Sequence, residues 1–280
     1  MTQMKIVKTV PEVRSLMATW GESVALVPTM GALHAGHMAL MDLARQHGRR
    51  VIASIFVNPA QFAAHEDLSK YPRPFSADVA KLEAAGVDGL FAPEPATMYP
   101  PGFCSGVQVA GPANVGLEDR FRPTHFYGVT TVVAKLFHQV QPTAAVFGEK
   151  DFQQLAVLRQ MVDDLDFPVK IVNAPTYREA DGLALSSRNV FLTPDQRAIA
   201  PVLHQTLQDC AKAVRAGETQ GLARGRSRIE EAGFLLDYLE LRDSRTLGEP
   251  GQDATREAGG LRLLVAAKLG TTRLIDNVAV

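Results

Sequence analysis

The stretch Leu26-Val27-Pro28-Thr29-Met30-Gly31-Ala32-Leu33-His34-Ala35-Gly36-His37 decides the reading of this 280-residue chain. Its apolar part ends at Pro28, a glycine-containing turn follows, and two histidines three residues apart stand where a helix should begin. That arrangement suits a polyphosphate. Backbone N–H groups at a helix start point at an anion, and the helix dipole favours negative charge there. Residues at i and i+3 share a helix face, so His34 and His37 can reach one phosphate chain. A lone histidine in such a place is usually a polar surface residue; the pair after a strand-like run favours the phosphate. Gly31 and Gly36 also have the G-x4-G spacing of a P-loop, but His37-Met38 stands where that motif needs Lys and then Ser or Thr, so that reading fails.

Working outward, strand and helix patterns alternate. Pro11 to Trp20 reads as a helix, with Pro11 in a permitted first-turn place. Ser23 to Val27 reads as a strand, His37 to Gln46 as a helix stopped near Gly48, and Val51 to Val57 as a buried strand. Ser76 is the expected cap of a helix reaching Ala85, with Gly86 ending it. Gly89 to Ala92 is a short strand, and Pro93 to Pro112 has loop character. A helix over Val129 to Val140, a strand over Ala144 to Phe147, a helix over Phe152 to Leu165 and a strand over Val169 to Val172 continue the alternation. The pattern implies an α/β fold with a parallel sheet covered on both faces. Polar motifs fall after the strands ending near Val27, Val57 and Phe147, where such sheets bind ligands, so they are expected to share a cleft.

The last third changes character. Thr193-Pro194 starts a helix expected to continue to about Ala216 despite Pro201. Thr219 to Gly225 reads as polar and Gly-rich. Tyr238 to Arg242 and Leu261 to Ala266 read as strands, separated by a loop from Ser244 to Gly260. A domain boundary is expected between Thr176 and Arg188, dividing the chain into residues 1–180 and a smaller α+β domain at 181–280.

Hydrophobic residues make up 46% and charged residues 21%, ordinary for a globular chain. The net charge of -1 and the absence of a basic block give nucleic-acid binding no electrostatic support. Cys104 and Cys210 form no metal-ligand or disulfide pattern. Neither a signal peptide nor an 18-residue apolar run is present, so a cytoplasmic protein without a membrane partner is expected.

Three further clusters carry chemistry. In Asn58-Pro59-Ala60-Gln61-Phe62, turn formation explains Asn58, whereas Gln61 has no such excuse and is the better ligand candidate. In Gly148-Glu149-Lys150-Asp151, Lys150 at a helix start opposes the dipole unless an anion compensates. Asp151 reads equally well as an N-cap or a ligand, and either Gln153 or Gln154 faces the cleft. In Leu185-Ser186-Ser187-Arg188-Asn189, hydroxyls and a guanidinium match phosphate oxygens, although such loops are often merely solvated. Asp67, Tyr71, Arg73 and Asp78 form a polar stretch with weaker claims. A carboxylate near phosphates would serve hydrated Mg2+. These cations, amides and hydroxyls stabilise phosphoryl charge and offer no covalent nucleophile.

Together these stretches, with Tyr71-Pro72-Arg73, Arg122-Pro123-Thr124-His125-Phe126, Asp181-Gly182-Leu183-Ala184 and Leu274-Ile275-Asp276-Asn277, make the chain resemble the pantoate–β-alanine ligase (pantothenate synthetase) family. The two-histidine motif alone marks a broad nucleotidylyl-transferase superfamily. The resemblance implies a Rossmann-like, doubly wound N-terminal domain, a C-terminal lid domain and a homodimer. It implies ATP- and Mg2+-dependent joining of (R)-pantoate to β-alanine through pantoyl adenylate. It places Met30, Gly31, Ala32, Leu33, His34, Ala35, Gly36 and His37 along ATP, with Gly148, Glu149, Lys150, Asp151, Tyr177, Leu185, Ser186, Ser187 and Arg188. His34, His37, Lys150 and Arg188 carry the catalytic roles. Gln61 and Gln154 hold pantoate, Gln61 also β-alanine, and Asp78 lies on the metal side. Tyr177 stands where the family has an aliphatic residue, Leu185 where Met is frequent, and Asp119-Arg120-Phe121 departs after Leu117-Glu118. Two rivals are weighed. An adenylyl transferase acting on a phosphorylated acceptor should need an added cation cluster, and a non-catalytic nucleotide binder should need fewer phosphate contacts.

Overall fold

The computed structural model of the chain describes residues 3–62, 68–251 and 259–280; Asp67 and part of the loop after Ser244 lie outside them. The chain forms two compact units, Met1–Glu149 with Val157–Pro175, and Lys150–Ala156 with Thr176–Val280.

The first unit contains β1 (Lys5–Val7), α1 (Val10–Trp20), β2 (Val24–Thr29), α2 (Ala35–Ala44), β3 (Arg50–Ile55), α3 (Phe75–Ala84), β4 (Gly89–Phe91), the single turns α4 (Pro95–Met98) and α5 (Glu118–Phe121), then α6 (His125–Val140) and β5 (Ala144–Gly148). α7 (Phe152–Asp164), whose first residues group with the second unit, precedes β6 (Lys170–Ala174). All six strands are parallel, in the order β1-β4-β3-β2-β5-β6. From β2 the sheet grows through β3 and β4 on one side and through β5 and β6 on the other. The fold is therefore doubly wound, with its switch point between β2 and β5, and ligands of such sheets bind outside the carboxyl ends of the strands there. Those ends are Thr29 and Gly148.

Local chemistry explains the elements. Thr9 caps α1 and Glu12 completes the capping box. Ala25, Leu26 and Val27 of β2 and Val51, Ile52 and Ala53 of β3 are buried, the near-continuous apolar run expected when helices cover both sheet faces. Met41 and Ala44 of α2 and Leu82 of α3 pack onto this sheet. Each fully buried Leu, Ile or Met side chain contributes about 1.5–3 kcal/mol. α3 begins at Phe75 after Pro74, so Ser76 lies inside the helix rather than capping it.

The second unit holds α8 (Pro194–Ile199), α9 (Val202–Arg215) and α10 (Gly221–Glu231) with an antiparallel sheet of β7 (Leu235–Asp243), β8 (Leu261–Leu269) and β9 (Thr272–Ala279), in that order. Leu203, Leu207, Ile229, Leu239, Leu263 and Val265 form its core. Pro201 divides the expected single helix into α8 and α9, because it has no N–H for the ladder. The Gly-rich stretch after Thr219 proves helical from Gly221. A Cβ on Gly225 would lie 2.4 Å from Cys210 Sγ. That glycine admits α9, and tertiary packing overrides its poor helix propensity. β1 and β9, which no sequence pattern announces, complete the two sheets. Among the described residues, no helix is long and apolar enough to cross a membrane.

Candidate active site

The loop after β2 is shaped by its own polar groups. Thr29 Oγ1 donates to the Ser54 carbonyl (2.7 Å) and accepts from Gly31 N (3.2 Å), tying the turn to β3. Gly31 and Ala32 then both adopt positive φ, 83° and 51°. A left-handed alanine costs about 1–2 kcal/mol, so something must hold it. Asp78 of α3, 1% exposed, does so. Its Oδ2 accepts from Ala32 N and its Oδ1 from Leu33 N, both at 2.8 Å. Lys81, three residues further along α3, donates to the Leu33 carbonyl.

The family resemblance puts Asp78 on the metal side; in the structure both of its oxygens accept from loop amides, so Asp78 shapes the loop. Among the described residues, no three of His, Cys, Asp and Glu gather as a metal cage. The amides of this loop divide into two groups. Those of Gly31, Ala32 and Leu33 are bonded within the protein, and His34 N donates to His37 Nδ1 (3.2 Å). Among the described residues, the amides at the start of α2 without such a bond are those of Ala35 and Gly36. They lie at the positive end of the helix dipole.

The His34 and His37 ring centroids are 4.0 Å apart. Because His37 Nδ1 accepts from His34 N, the neutral ring carries its proton on Nε2 and presents a donor there. The i, i+3 spacing therefore does more than share a face, since one histidine sets the tautomer of the other.

Gln61 is brought beside this loop, donating from Nε2 to Met30 Sδ (3.0 Å). Its other end is fixed by Asn58, which local sequence explains only as a turn residue. Asn58 is 1% exposed, and its side chain makes four hydrogen bonds. Its Nδ2 donates to Gln61 Oε1 (3.1 Å) and to the Gly128 carbonyl (3.0 Å). Its Oδ1 accepts from Ala60 N (3.2 Å) and from the Tyr99 hydroxyl (2.8 Å). Gly128 permits this closeness, because a Cβ there would lie 2.2 Å from the Ala60 carbonyl oxygen. Burial pushes the Tyr99 phenol up to about 12, against the pull of Asn58. The Gln61 backbone is held as well. His125 Nδ1 donates to its carbonyl (3.0 Å), as does Arg122 Nη2 (3.3 Å). Arg122 Nη1 also lies 3.1 Å from His125 Nε2 and 3.8 Å from Glu118 Oε2. Glu118 and Arg122 thus support Gln61 despite the departure at Asp119-Arg120-Phe121.

At the other switch-point strand, Gly148 ends β5 and Glu149 Oε1 accepts from Asn173 Nδ2 (2.5 Å). In the second unit, Lys150 Nζ lies 3.7 Å from Asp151 Oδ2. That ion pair, rather than a capping bond, is the described interaction of the Asp151 side chain. Gln153 is buried and Gln154 is partly exposed. Leu185 N donates to the Tyr177 carbonyl (3.0 Å), while the Tyr177 ring is exposed. The aromatic departure therefore alters an exposed ring and leaves the backbone pairing intact. Ser186 Oγ accepts from Arg188 N (3.2 Å), starting the turn that displays Ser187 and Arg188. Among the described residues, the Arg188 guanidinium has no hydrogen-bond or ion-pair partner.

A family model described as pantoate-beta-alanine ligase matches residues 5–279. The chain belongs to the pantoate–β-alanine ligase family. A pantothenate synthetase of Rhodopseudomonas palustris strain HaA2 is 56% identical over 260 residues, covering 92% of this chain and 91% of that protein. The pantothenate synthetase of strain BisA53 is 55% identical over 280 residues, 98% of each chain. Among solved structures, a pantothenate synthetase of Thermus thermophilus aligns with a TM-score of 0.93 at 47% identity, covering 99% of both chains. A pantoate-beta-alanine ligase of Francisella tularensis, solved with beta-gamma ATP and beta-alanine, aligns with a TM-score of 0.83 at 33% identity, covering 99% of this chain and 97% of its own.

Membership in the family does not by itself show what supports the site. Asp78, Lys81 and Tyr99 act from other elements, and Asn58 acts on Gln61 from the head of the same turn. Lys81 and Tyr99 escaped the sequence reading; the i, i+3 spacing of Asp78 and Lys81 on a helix was the sign that could have found Lys81.

Proposed function

We propose that this chain condenses (R)-pantoate with β-alanine at the expense of ATP, through a pantoyl-adenylate intermediate. A carboxylate oxygen of pantoate attacks the α-phosphorus, forming the acyl–phosphate bond and expelling pyrophosphate. The β-alanine amine then attacks the acyl carbon, the C–O bond to phosphate breaks, AMP leaves and the amine loses a proton. Charge grows on phosphoryl oxygens in the first step. His34, the His37 Nε2–H donor, the Ala35 and Gly36 amides, Lys150 and Arg188 are assigned to meet it. Met30 to Leu33 shape the nucleotide loop, and Gly148, Glu149, Asp151, Tyr177, Leu185, Ser186 and Ser187 are assigned to the same nucleotide. Gln61 and Gln154 are assigned to pantoate, and Gln61 also to β-alanine. The second step gains from positioning, because aligned groups reach effective molarities of about 10⁵–10⁸ M.

The observation that carries this reading is Gln61 itself. It is an uncharged amide held beside the histidine loop, suited to hydrogen-bonding a small hydroxy acid and carrying no charge to pair with an acceptor phosphate. Mg2+ bound to ATP would add positive charge at the phosphates, with several of its ligands supplied by water. In line with the family resemblance, the enzyme is assigned to the cytoplasm and to a homodimer, and light scattering of the purified chain tests the dimer. The decisive chemical experiment uses pantoate labelled with 18O in its carboxylate, together with ATP, Mg2+ and β-alanine. Pantothenate plus AMP carrying one 18O supports the adenylate. Formation of ADP, or of unlabelled AMP, overturns it.

A further inference from the structure

The second unit carries two of the proposed phosphate groups, Lys150 and Arg188, on segments far apart in sequence. Two consecutive residues of β9, Asp276 and Asn277, reach both segments. Side chains alternate across a strand, so neighbours leave opposite faces of the sheet. Both residues are buried, 5% and 2% exposed.

Asp276 lies on the face that carries Leu274 and Val278 into the core. It accepts a bidentate pair from Arg178, Nη1 to Oδ2 at 2.6 Å and Nη2 to Oδ1 at 2.8 Å. His204 Nδ1 stands 3.5 Å from Oδ2. Burial opposes the charge, yet the His204 imidazole and the Arg178 guanidinium outweigh it and hold the carboxyl below its ordinary value. Arg178 Nη1 also donates to the Gly182 carbonyl (3.0 Å), and Arg178 bridges to Ala184 in antiparallel fashion. The hairpin so anchored leads directly into Leu185 to Arg188, and Asn189 Nδ2 returns to the Ala184 carbonyl (3.1 Å).

Asn277 uses the other face. Its Nδ2 donates to the Lys150 carbonyl (2.9 Å), and its Oδ1 accepts from Arg262 Nε (2.7 Å). The Arg262 guanidinium lies 4.2 Å from the centroid of the Phe152 ring, two residues beyond Lys150. One dipeptide therefore fixes the Lys150 turn through one face of the sheet and the Arg188 loop through the other.

We infer that Asp276 and Asn277 are positioning residues for nucleotide activation, setting the Lys150 turn and the Ser186-Ser187-Arg188 loop in register on β9. The inference rests on the assignment of Lys150 and Arg188 to the ATP phosphates. Asn277→Asp keeps size and the Arg262 bond but replaces the donor to the Lys150 carbonyl with an acceptor. Asp276→Asn keeps size and breaks the charge pair with Arg178.

The full chain is assayed for pantoate-dependent ATP–pyrophosphate exchange and for the KM of each substrate, alone and in a Lys150→Ala background. Each variant is expected to raise the ATP KM or lower the exchange rate about tenfold, the scale of one lost hydrogen bond. The β-alanine KM should move less than about twofold on the same scale. In the Lys150→Ala background, Asn277→Asp should add little, because coupled residues are non-additive; a merely structural role predicts full additivity. Should Asp276→Asn fail to fold, Asn277→Asp decides alone. Unchanged exchange together with an unchanged ATP KM in Asn277→Asp, or full additivity with Lys150→Ala, overturns the positioning role and leaves the ligase reading standing. Unchanged exchange in both Lys150→Ala and Arg188→Ala overturns the phosphate assignment, and the inference with it.

Discussion

Asp78→Asn keeps the size and burial of a side chain and removes its charge, and its consequences follow from two distances. The carboxylate accepts from Ala32 N and Leu33 N at 2.8 Å each. Asparagine retains one acceptor oxygen and turns its NH2 toward the other amide, donor against donor. One bond to a charged acceptor is lost and the survivor becomes neutral. With about 1.5–3 kcal/mol for a charged bond and about 0.5–1.5 for a neutral one, the total is about 3 kcal/mol. For a unit of this size that is a fall of roughly 6–12 °C in melting temperature. Ala32, freed from its left-handed conformation, lets the loop and the His34–His37 pair shift. A displacement near 1 Å is expected to lower kcat/KM for ATP about 100-fold. The assays are thermal unfolding by circular dichroism and pantoate-dependent pyrophosphate exchange, the latter repeated across a Mg2+ titration. Melting within about 2 °C of the unsubstituted chain would refute the clamp. So would activity regained at high Mg2+, which would return Asp78 to the metal.

Asn58→Leu removes the partner of Gln61 Oε1, and its expected mark is a pantoate KM raised about tenfold or more with the ATP KM little changed, read by steady-state kinetics; equal changes in both would remove Asn58 from the acid pocket. Tyr99 is raised in the folded state, so its contribution to stability is present below its unfolded pKa and is lost as pH rises through about 12. The difference titration at 295 nm between the native chain and Tyr99→Phe should accordingly show no phenolate below about pH 11, and a midpoint near the unperturbed value of about 10 contradicts the burial argument. His37→Ala and Lys150→Ala should each lower turnover about 100-fold or more in the exchange assay, the scale of a lost charge-stabilising donor; a near-normal rate in either removes its role.

The alternating pattern made the sheet legible because strand and helix periods are local properties. It placed β2, β3, β5 and β6 and most helices of the first unit. It failed where distant residues decided the outcome. Gly225 reads as punctuation until α9 lies against it. Asn58 reads as a turn residue until Gly128, Tyr99 and Gln61 surround it. Asp78 reads as a free carboxylate near phosphates until the Ala32 and Leu33 amides meet it.

What the sequence determined alone was the inventory. It supplied two histidines at a helix start after a strand, an amide after the next strand, a lysine after the strand ending near Phe147, and a Ser-Ser-Arg loop. These depend on short spacings and on the chemistry of each side chain. Tertiary structure decided which backbone donors remain available and which groups are held still. A buried carboxylate or amide takes as partners whatever donors the fold brings within about 3 Å, and those partners come from tens of residues away. The histidine loop was therefore readable as a phosphate grip, whereas its shape was set by Asp78 and Lys81 on another helix.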